Sequence, residues 1–306
     1  MSELKLEINK KIFYEKIEEE FGKTENDIEE YIELLHNWAK EQPHFPEIPS
    51  KHYCMFLMIN HKFIMEKAKK NLDKLYAVKG IFPELFALHP LSPEMRLQSK
   101  IIYCVLLPKQ TQEAERVLFI KFNPEYSPEM FVHEHNIMQI IHIGELLMTE
   151  EISTNYHLIL DMDGAKFGHI PRFNPMTIKK GLICTEIYGN RMKSICIVNL
   201  PGFMENVYNT MFVPFLPYKI KNRVKIFKDS KMLLKLFDKS MLPRDVGGEE
   251  KCLDELSDML LKKYETMKTR FDKIQFMTTN EELRPGKLEN DELLGFYGSF
   301  KQINVD

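Results

Sequence analysis

An apolar run ending in two carboxylates and a glycine is the first stretch of this chain whose residue types could do chemistry. It reads Leu158-Ile159-Leu160-Asp161-Met162-Asp163-Gly164. On a strand, residues two apart point to one side, so Asp161 and Asp163 could share a Mg²⁺ ion and a phosphate. That is the chemistry of a phosphatase with a carboxylate nucleophile. Ala165 stands where such an enzyme needs Thr or a comparable residue, and no later acidic pair completes a metal site. The competing reading is a turn at a strand end, with Gly164 at a special backbone angle and Asp161 bonding loop amides. His133-Glu134-His135 is a poor metal site. On a helix its two histidines sit roughly 200° apart around the axis, and His135 and His142 lie about 10 Å apart along it. No G-x-G-x-x-G, no P-loop and no G-x-S-x-G occurs. The expectation is a protein that is not an enzyme and holds no cofactor and no metal.

Two apolar segments and one basic segment suggest binding instead. Phe203, Met204, Val207, Tyr208, Met211, Phe212, Phe215 and Leu216 repeat at helical spacing in adjacent pairs, with Pro214 and Pro217 interrupting the far end. Such a helix is either core or a lid over an apolar cavity. Ile137, Ile140, Ile141, Gly144, Leu147 and Met148 form a second stripe, in which Gly144 leaves room for something other than a side chain. Eighteen methionines suit an adaptable pocket or an adaptable core. From Lys219 to Lys239 there are eight basic residues against Asp229 and Asp238, and Arg191-Met192-Lys193 adds a second basic pair. The cluster is either a solvated surface or a phosphate site for anionic lipid headgroups.

The elements that must position these residues follow from periodicity. Residues 1 to about 90 read as helices. Thr24 to Asp27 resembles a capping box, followed by a stripe of Ile28, Tyr31, Ile32, Leu35, Trp38 and Ala39. From about 100 the pattern changes to short β-branched runs: Val117–Ile120, His157–Leu160, Ile195–Val198 and Val224–Ile226. Helices lie between them: one starting at Ser127-Pro128, one from Asn174 or Pro175 to about Tyr188, one from about Gly202 to Lys221. Strands alternating with helices predict βαβ units and a mostly parallel sheet. A last amphipathic helix carries Leu256, Leu260, Tyr264, Met267 and Phe271, and the tail from about 277 reads as loosely held.

Composition bounds the rest. At 306 residues, 44% apolar and 28% charged, the chain is ordinary globular material in one large or two modest domains. A formal charge of −3 gives no reason to bind nucleic acid. Between Glu15 and Glu33 nine acidic residues face two lysines, read as a solvated helix face. Five scattered cysteines without C-x-x-C spacing read as reduced thiols. With no signal-like apolar core and no long apolar run, the expected location is the cytoplasm, with peripheral membrane contact.

Taken together, the motifs resemble the CRAL-TRIO family over about residues 25 to 275, closest in pattern to its insect tocopherol-transfer-like and retinaldehyde-binding members. Asn37-Trp38-Ala39-Lys40-Glu41-Gln42-Pro43-His44 is similar to the N-terminal helical module. Asp161-Met162-Asp163-Gly164 with Phe167-Gly168-His169 is similar to D-x-E-G…F-x-H. Ile197-Val198-Asn199-Leu200-Pro201-Gly202-Phe203, Pro214-Phe215-Leu216 and Lys219-Ile220-Lys221 follow I-N-x-P-x-x-F…K-P-F-L…K-I-K. Leu242-Pro243 and Gly247-Gly248 follow L-P-x-x-x-G-G. Two positions depart: Met58 in Phe56-Leu57-Met58 replaces the usual Arg, and Tyr188-Gly189 replaces Tyr-Pro.

The resemblance implies an α/β fold. An all-helical module (1–95) precedes a βαβ lipid-binding domain (96–250) with a mostly parallel sheet and a gate helix, about 202 to 221, over an apolar cavity. A C-terminal helix and tail (251–306) follow. The cavity would take one lipophilic molecule, such as a tocopherol, retinoid, carotenoid or similar lipid. Its candidate lining is Ile137, Ile140, Ile141, Gly144, Tyr156, Leu158, Leu160, Ile183, Ile187, Ile195 and Ile197, with Phe203, Val207 and Met211 from the gate. Arg191, Lys193, Lys219, Lys221 and Arg223 would bind phosphoinositide headgroups on an anionic membrane. The expected protein is a monomeric transfer protein. The alternatives are phospholipid or phosphatidylinositol transfer, a lipid-sensing interaction module, and a Mg²⁺-dependent phosphatase of the haloacid-dehalogenase type.

Overall fold

The computed structural model describes residues 2–188 and 191–286. Gly189 and the tail beyond 286 lie outside them. The N-terminal part is helical, as its periodicity predicts. Helix α1 (Lys10–Phe21) is capped by the Asn9 side chain, which accepts from the Ile12 amide. Helix α2 (Glu25–Lys40) opens with the expected capping box: the Asp27 carboxylate accepts from the Thr24 amide at 2.8 Å and Thr24 Oγ1 accepts from the Asp27 amide at 3.3 Å. Its stripe of Ile28, Ile32, Leu35 and Ala39 is buried. Helix α3 (Lys51–Asn60), capped by Ser50, is buried on every side from Tyr53 to Asn60, which is why it shows no amphipathic period. Helices α4 (Met65–Ile81) and α5 (Pro93–Ile101) complete this part, the latter with Ser92 as cap and Pro93 at its first position.

Five strands form one sheet in the order β1 (Ile102–Leu106), β2 (Arg116–Phe122), β3 (Tyr156–Asp161), β4 (Met192–Val198) and β5 (Val224–Phe227). Strand β1 runs antiparallel to β2, and every later pair is parallel. The sheet is therefore mostly parallel, as expected, with one antiparallel edge strand that the sequence reading passed over. Strand β1 follows α5 without a turn, so no punctuation marks its start. The connections are helix α6 (His133–Glu150), helix α7 (Pro175–Ile187), and a broken path that begins with α8 (Gly202–Val207) and ends with α9 (Tyr218–Lys221). Crossovers between neighbouring parallel strands follow a right-handed rule, which in this sequential order puts all three connections on one face.

Helix α6 starts later than Ser127-Pro128. Pro128–Met130 makes a single 3₁₀ turn, and the backbone is extended at Phe131 and Val132. Phe131 is drawn instead into an aromatic cluster with Phe122, His169 and Phe173, with ring centroids 5.3–5.8 Å apart. The other face of the sheet is met by the segment after β5, where the Phe237 ring packs edge-on against His157 of β3 at 5.2 Å. Helix α10 (Leu233–Leu236) lies in that segment, followed by α11 (Leu253–Thr266) and α12 (Lys268–Ile274). The predicted stripe Leu256, Leu260, Tyr264, Met267 and Phe271 is buried, although the helix breaks at Met267. The described part of the tail, up to residue 286, is held more firmly than its polarity suggests. The Asn280 amide donates to the His44 carbonyl at 2.9 Å, and Arg284, 5% exposed in its side chain, pairs with Asp73. One continuous apolar core runs from Leu4 to Met277.

Candidate functional site

Register puts two rows of apolar side chains on one face of the sheet. Leu118, Leu158, Ile195 and Val224 are aligned across β2 to β5, and so are Ile120, Leu160, Ile197 and Ile226. Cys104 of β1 extends the second row, and His157, which points to the opposite side of β3, meets Phe237 of the segment after β5, so the two rows lie on the crossover face. The alternate residues Val117, Phe119, Ile159, Cys196 and Val198 are sealed, at 0–1% exposure. The crossover face is looser: Leu118, Leu158 and Leu160 are only half-buried although they sit in the interior of the sheet, and Ile226 is 49% exposed. An apolar floor with accessible side chains in mid-sheet is what a space above it requires. Tyr156 shares this face but is closed off by the Phe56 ring of α3.

The segment expected to cover this face is the path from 202 to 221. The sequence predicts one helix there. The structure has α8, then a π-turn over Tyr208–Phe212, a 3₁₀ turn over Val213–Phe215, an extended Leu216, and α9. Pro214 and Pro217 lack the amide that would continue a helix, and the Thr210 hydroxyl competes for the Asn206 carbonyl at 2.6 Å. Only Met204 and Val207 of this path are fully buried, and Phe203 and Met211 are half-buried. Phe203 leans on Phe167 at 5.9 Å, and Phe212 leans on Phe173 at 5.6 Å.

Helices α6 and α7 meet more closely than the sequence suggests, which corrects the readings of Gly144 and Ile137. A Cβ on Gly144 would lie 2.6 Å from the Tyr188 ring, so the room there is already filled by that tyrosine. A Cβ on Gly181 would lie 2.6 Å from Ile137, so Ile137 packs into α7. Ile141 and Ile187 are 3% and 4% exposed and belong to the core, while Ile140 and Ile183 are half-buried.

The five basic candidates divide into two groups. Arg191 is 10% exposed in its side chain, paired with Glu20 of α1 and stacked over the Phe21 ring at 4.9 Å. Lys193 donates to Glu115 at 2.6 Å, and His157 lies 2.8 Å from the same carboxylate. Both expected headgroup ligands are thus neutralised by carboxylates from distant parts of the chain. Arg223 is exposed and bonds the Met192 carbonyl, while Lys219 and Lys221 are exposed on α9. Met58, where an Arg is usual, is fully buried.

Residues 102–248 match the family model described as CRAL/TRIO domain. The match takes in all five strands, the crossover helices and the broken 202–221 path. No curated protein matches the chain. Among solved structures, the crystal structure of Sfh5 is similar at 12% identity, over 84% of this chain and 98% of that one, with a TM-score of 0.48.

Within the matched region the D-x-D-G run is a strand-end turn. Gly164 has φ +92°, and a Cβ there would meet the Phe122 carbonyl oxygen at 2.6 Å. The buried Asp161 carboxylate accepts from Lys121 at 2.7 Å, from Asn199 at 2.8 Å and from the Asp163 amide at 3.0 Å. An ammonium therefore occupies the place where a shared Mg²⁺ would be expected. Among the described residues no group of three His, Cys, Asp or Glu side chains could hold a metal, and no helix is long and apolar enough to cross a membrane. His142 donates through Nε2 to the Leu88 carbonyl, and burial pushes it down to about 4. Burial does the same to His133. The sequence reading omitted Leu118, Ile120, Val224 and Ile226 from the floor. Their alternation within β2 and β5 was visible, but their alignment with Leu158 and Leu160 depends on register.

Proposed function

We propose that the CRAL/TRIO domain holds one small lipophilic molecule between the sheet floor and the 202–221 gate, and passes it between membranes. The observation that carries this is the half-buried state of Leu118, Leu158 and Leu160 in the interior of the sheet. The family match supports lipid binding and transfer in general. Burying about 400 Å² of a lipophile's apolar surface is worth at most about 10 kcal/mol before ordering costs. Binding on that scale needs no catalysis, and it makes release into water slow, so a membrane must accept both the ligand and the apolar side of the gate. Lys219, Lys221 and Arg223 stand beside exposed Phe215, Tyr218 and Ile226. An anionic leaflet is the surface that suits this mixture. Arg191 and Lys193 join it only on leaving Glu20 and Glu115.

The test is native mass spectrometry of the purified protein with extraction of its cargo. One tocopherol-, retinoid- or carotenoid-sized molecule per chain is the expected result. A phospholipid or phosphatidylinositol would move the reading to phospholipid transfer. A chain that carries nothing and takes up no lipophile from donor vesicles ends the proposal. Charge reversal at Lys219 and Arg223 should weaken binding to phosphoinositide-containing vesicles and leave cargo occupancy unchanged. Unaltered vesicle binding removes the basic docking surface.

A further inference from the structure

Asn199 is the last residue before the gate segment Leu200-Pro201-Gly202, and its backbone is left-handed at φ +54°. Asparagine is one of the few residues that takes this conformation at small cost. Its side chain is used at both ends. Nδ2 donates to Asp161 Oδ1 at 2.8 Å, and Oδ1 accepts from the Ser230 amide at 3.2 Å. Asp161 is itself fixed from below: its side chain is 0% exposed, Lys121 neutralises it, and the Asp163 amide shares Oδ1. One buried carboxylate thus joins the turn after β3, the start of the gate after β4, and the first residues after β5. Beyond this point the gate path has no side-chain cap on α8, on the π-turn or on α9.

We propose that Asp161, acting through the Asn199 amide, is the fixed pivot of the gate, and that this bonded pair sets how often the gate opens. Asp161 is here a positioning residue, which gives the two-carboxylate run a mechanical task in place of a catalytic one. The inference rests on the gate reading above but not on any particular cargo. Hydrogen bonds to an ionised group are strong, and losing this one together with the Ser230 contact corresponds to about a ten- to hundredfold change in the opening equilibrium.

Amide hydrogen exchange on the full chain tests this without a ligand. Asn199→Ala should speed exchange across 200–221 and at Ser230 about tenfold or more, with the amides of β2 and β3 unchanged. Asn199→Gly keeps the backbone angle and removes the side chain, so it should behave alike if the bonds matter and like wild type if only the angle does. The swap Asp161→Asn with Asn199→Asp rebuilds one donor–acceptor pair and should restore much of the protection that Asp161→Asn loses. Uniform acceleration over the whole sheet in Asn199→Gly, or no acceleration at the gate, overturns the pivot. Transfer of co-purified cargo to phosphatidylcholine vesicles gives the second arm, in which Asn199→Gly should release faster. Faster gate exchange in a protein that carries no cargo would sink the transfer reading and leave the pivot standing.

Discussion

The proposed gate and the helical block around α6 are built on opposite physical plans. Eleven of the eighteen residues of α6 are buried, whereas the gate path from 202 to 221 buries only Met204 and Val207. At the centre of the block, Glu145 of α6 is 1% exposed in its side chain and pairs with Lys79 of α4, itself 2% exposed, at 3.2 Å. Arg270 of α12 reaches the same carboxylate at 3.3 Å, and the Tyr188 hydroxyl donates to it at 2.9 Å. Burial alone would push the Glu145 carboxyl up, but Lys79, Arg270 and Tyr188 together hold it below the usual carboxylate range. Four chain segments therefore share one buried charge, which cannot be loosened piece by piece. Beyond the Asp161–Asn199 pair at its start the 202–221 path has no such node, and elements with few buried contacts open first. The proposed transfer of a lipophile calls for both, a frame that keeps its shape and a cover that yields.

The largest test of that contrast is Glu145→Ala. It leaves Lys79 buried without a counter-charge and should cost about 3–5 kcal/mol in urea unfolding. A loss below 1 kcal/mol would show that the node is not what fixes the frame. Acid is the next probe. Burial holds His61, His133 and His142 at about 4 in the folded state, below the 6.5 of an unfolded histidine. The unfolded chain then binds more protons between these values, so stability should fall as pH drops from about 6.5 toward 4. The slope is up to about 1.4 kcal/mol per pH unit for each histidine. A urea midpoint that is flat from pH 7 to 5 would contradict their burial as neutral rings.

Gly144→Ala should come third. A methyl group 2.6 Å from the Tyr188 ring overpacks the α6–α7 contact, at about 1–3 kcal/mol, partly offset by the helix preference of alanine. Stabilisation instead would mean that Tyr188 moves aside and that the room above Gly144 can open. The smallest effect belongs to the gate's own surface. Lys221→Ala should leave the melting temperature unchanged while weakening capture by anionic vesicles, a split that no change in the Glu145 node should produce.

Much of the frame was legible because it is written locally. The Thr24 capping box and the short β-branched runs of β2 to β5 each involve residues within a few positions of one another, and steric and hydrogen-bonding preferences act at that range. The gate was legible as an apolar helical stripe, but its division into α8, a π-turn, a 3₁₀ turn and α9 was not, although Pro214 and Pro217 marked where continuity must fail. The site was read less well. Arg191 and Lys193 are basic in any sequence analysis, but their partners Glu20 and Glu115 are 171 and 78 residues away.

By itself, the order of apolar, charged and turn-forming residues determined a helical start, a mostly parallel sheet with a greasy face, and an apolar segment from 202 to 221 rich in methionine and phenylalanine. Tertiary structure alone decided which face stays accessible, that Tyr188 fills the space over Gly144, which cations remain free, and that Asp161 holds Asn199. The reason is range. Backbone preference is fixed by neighbours a few bonds away. Occupancy of space and neutralisation of charge depend on groups that meet only after the chain has folded.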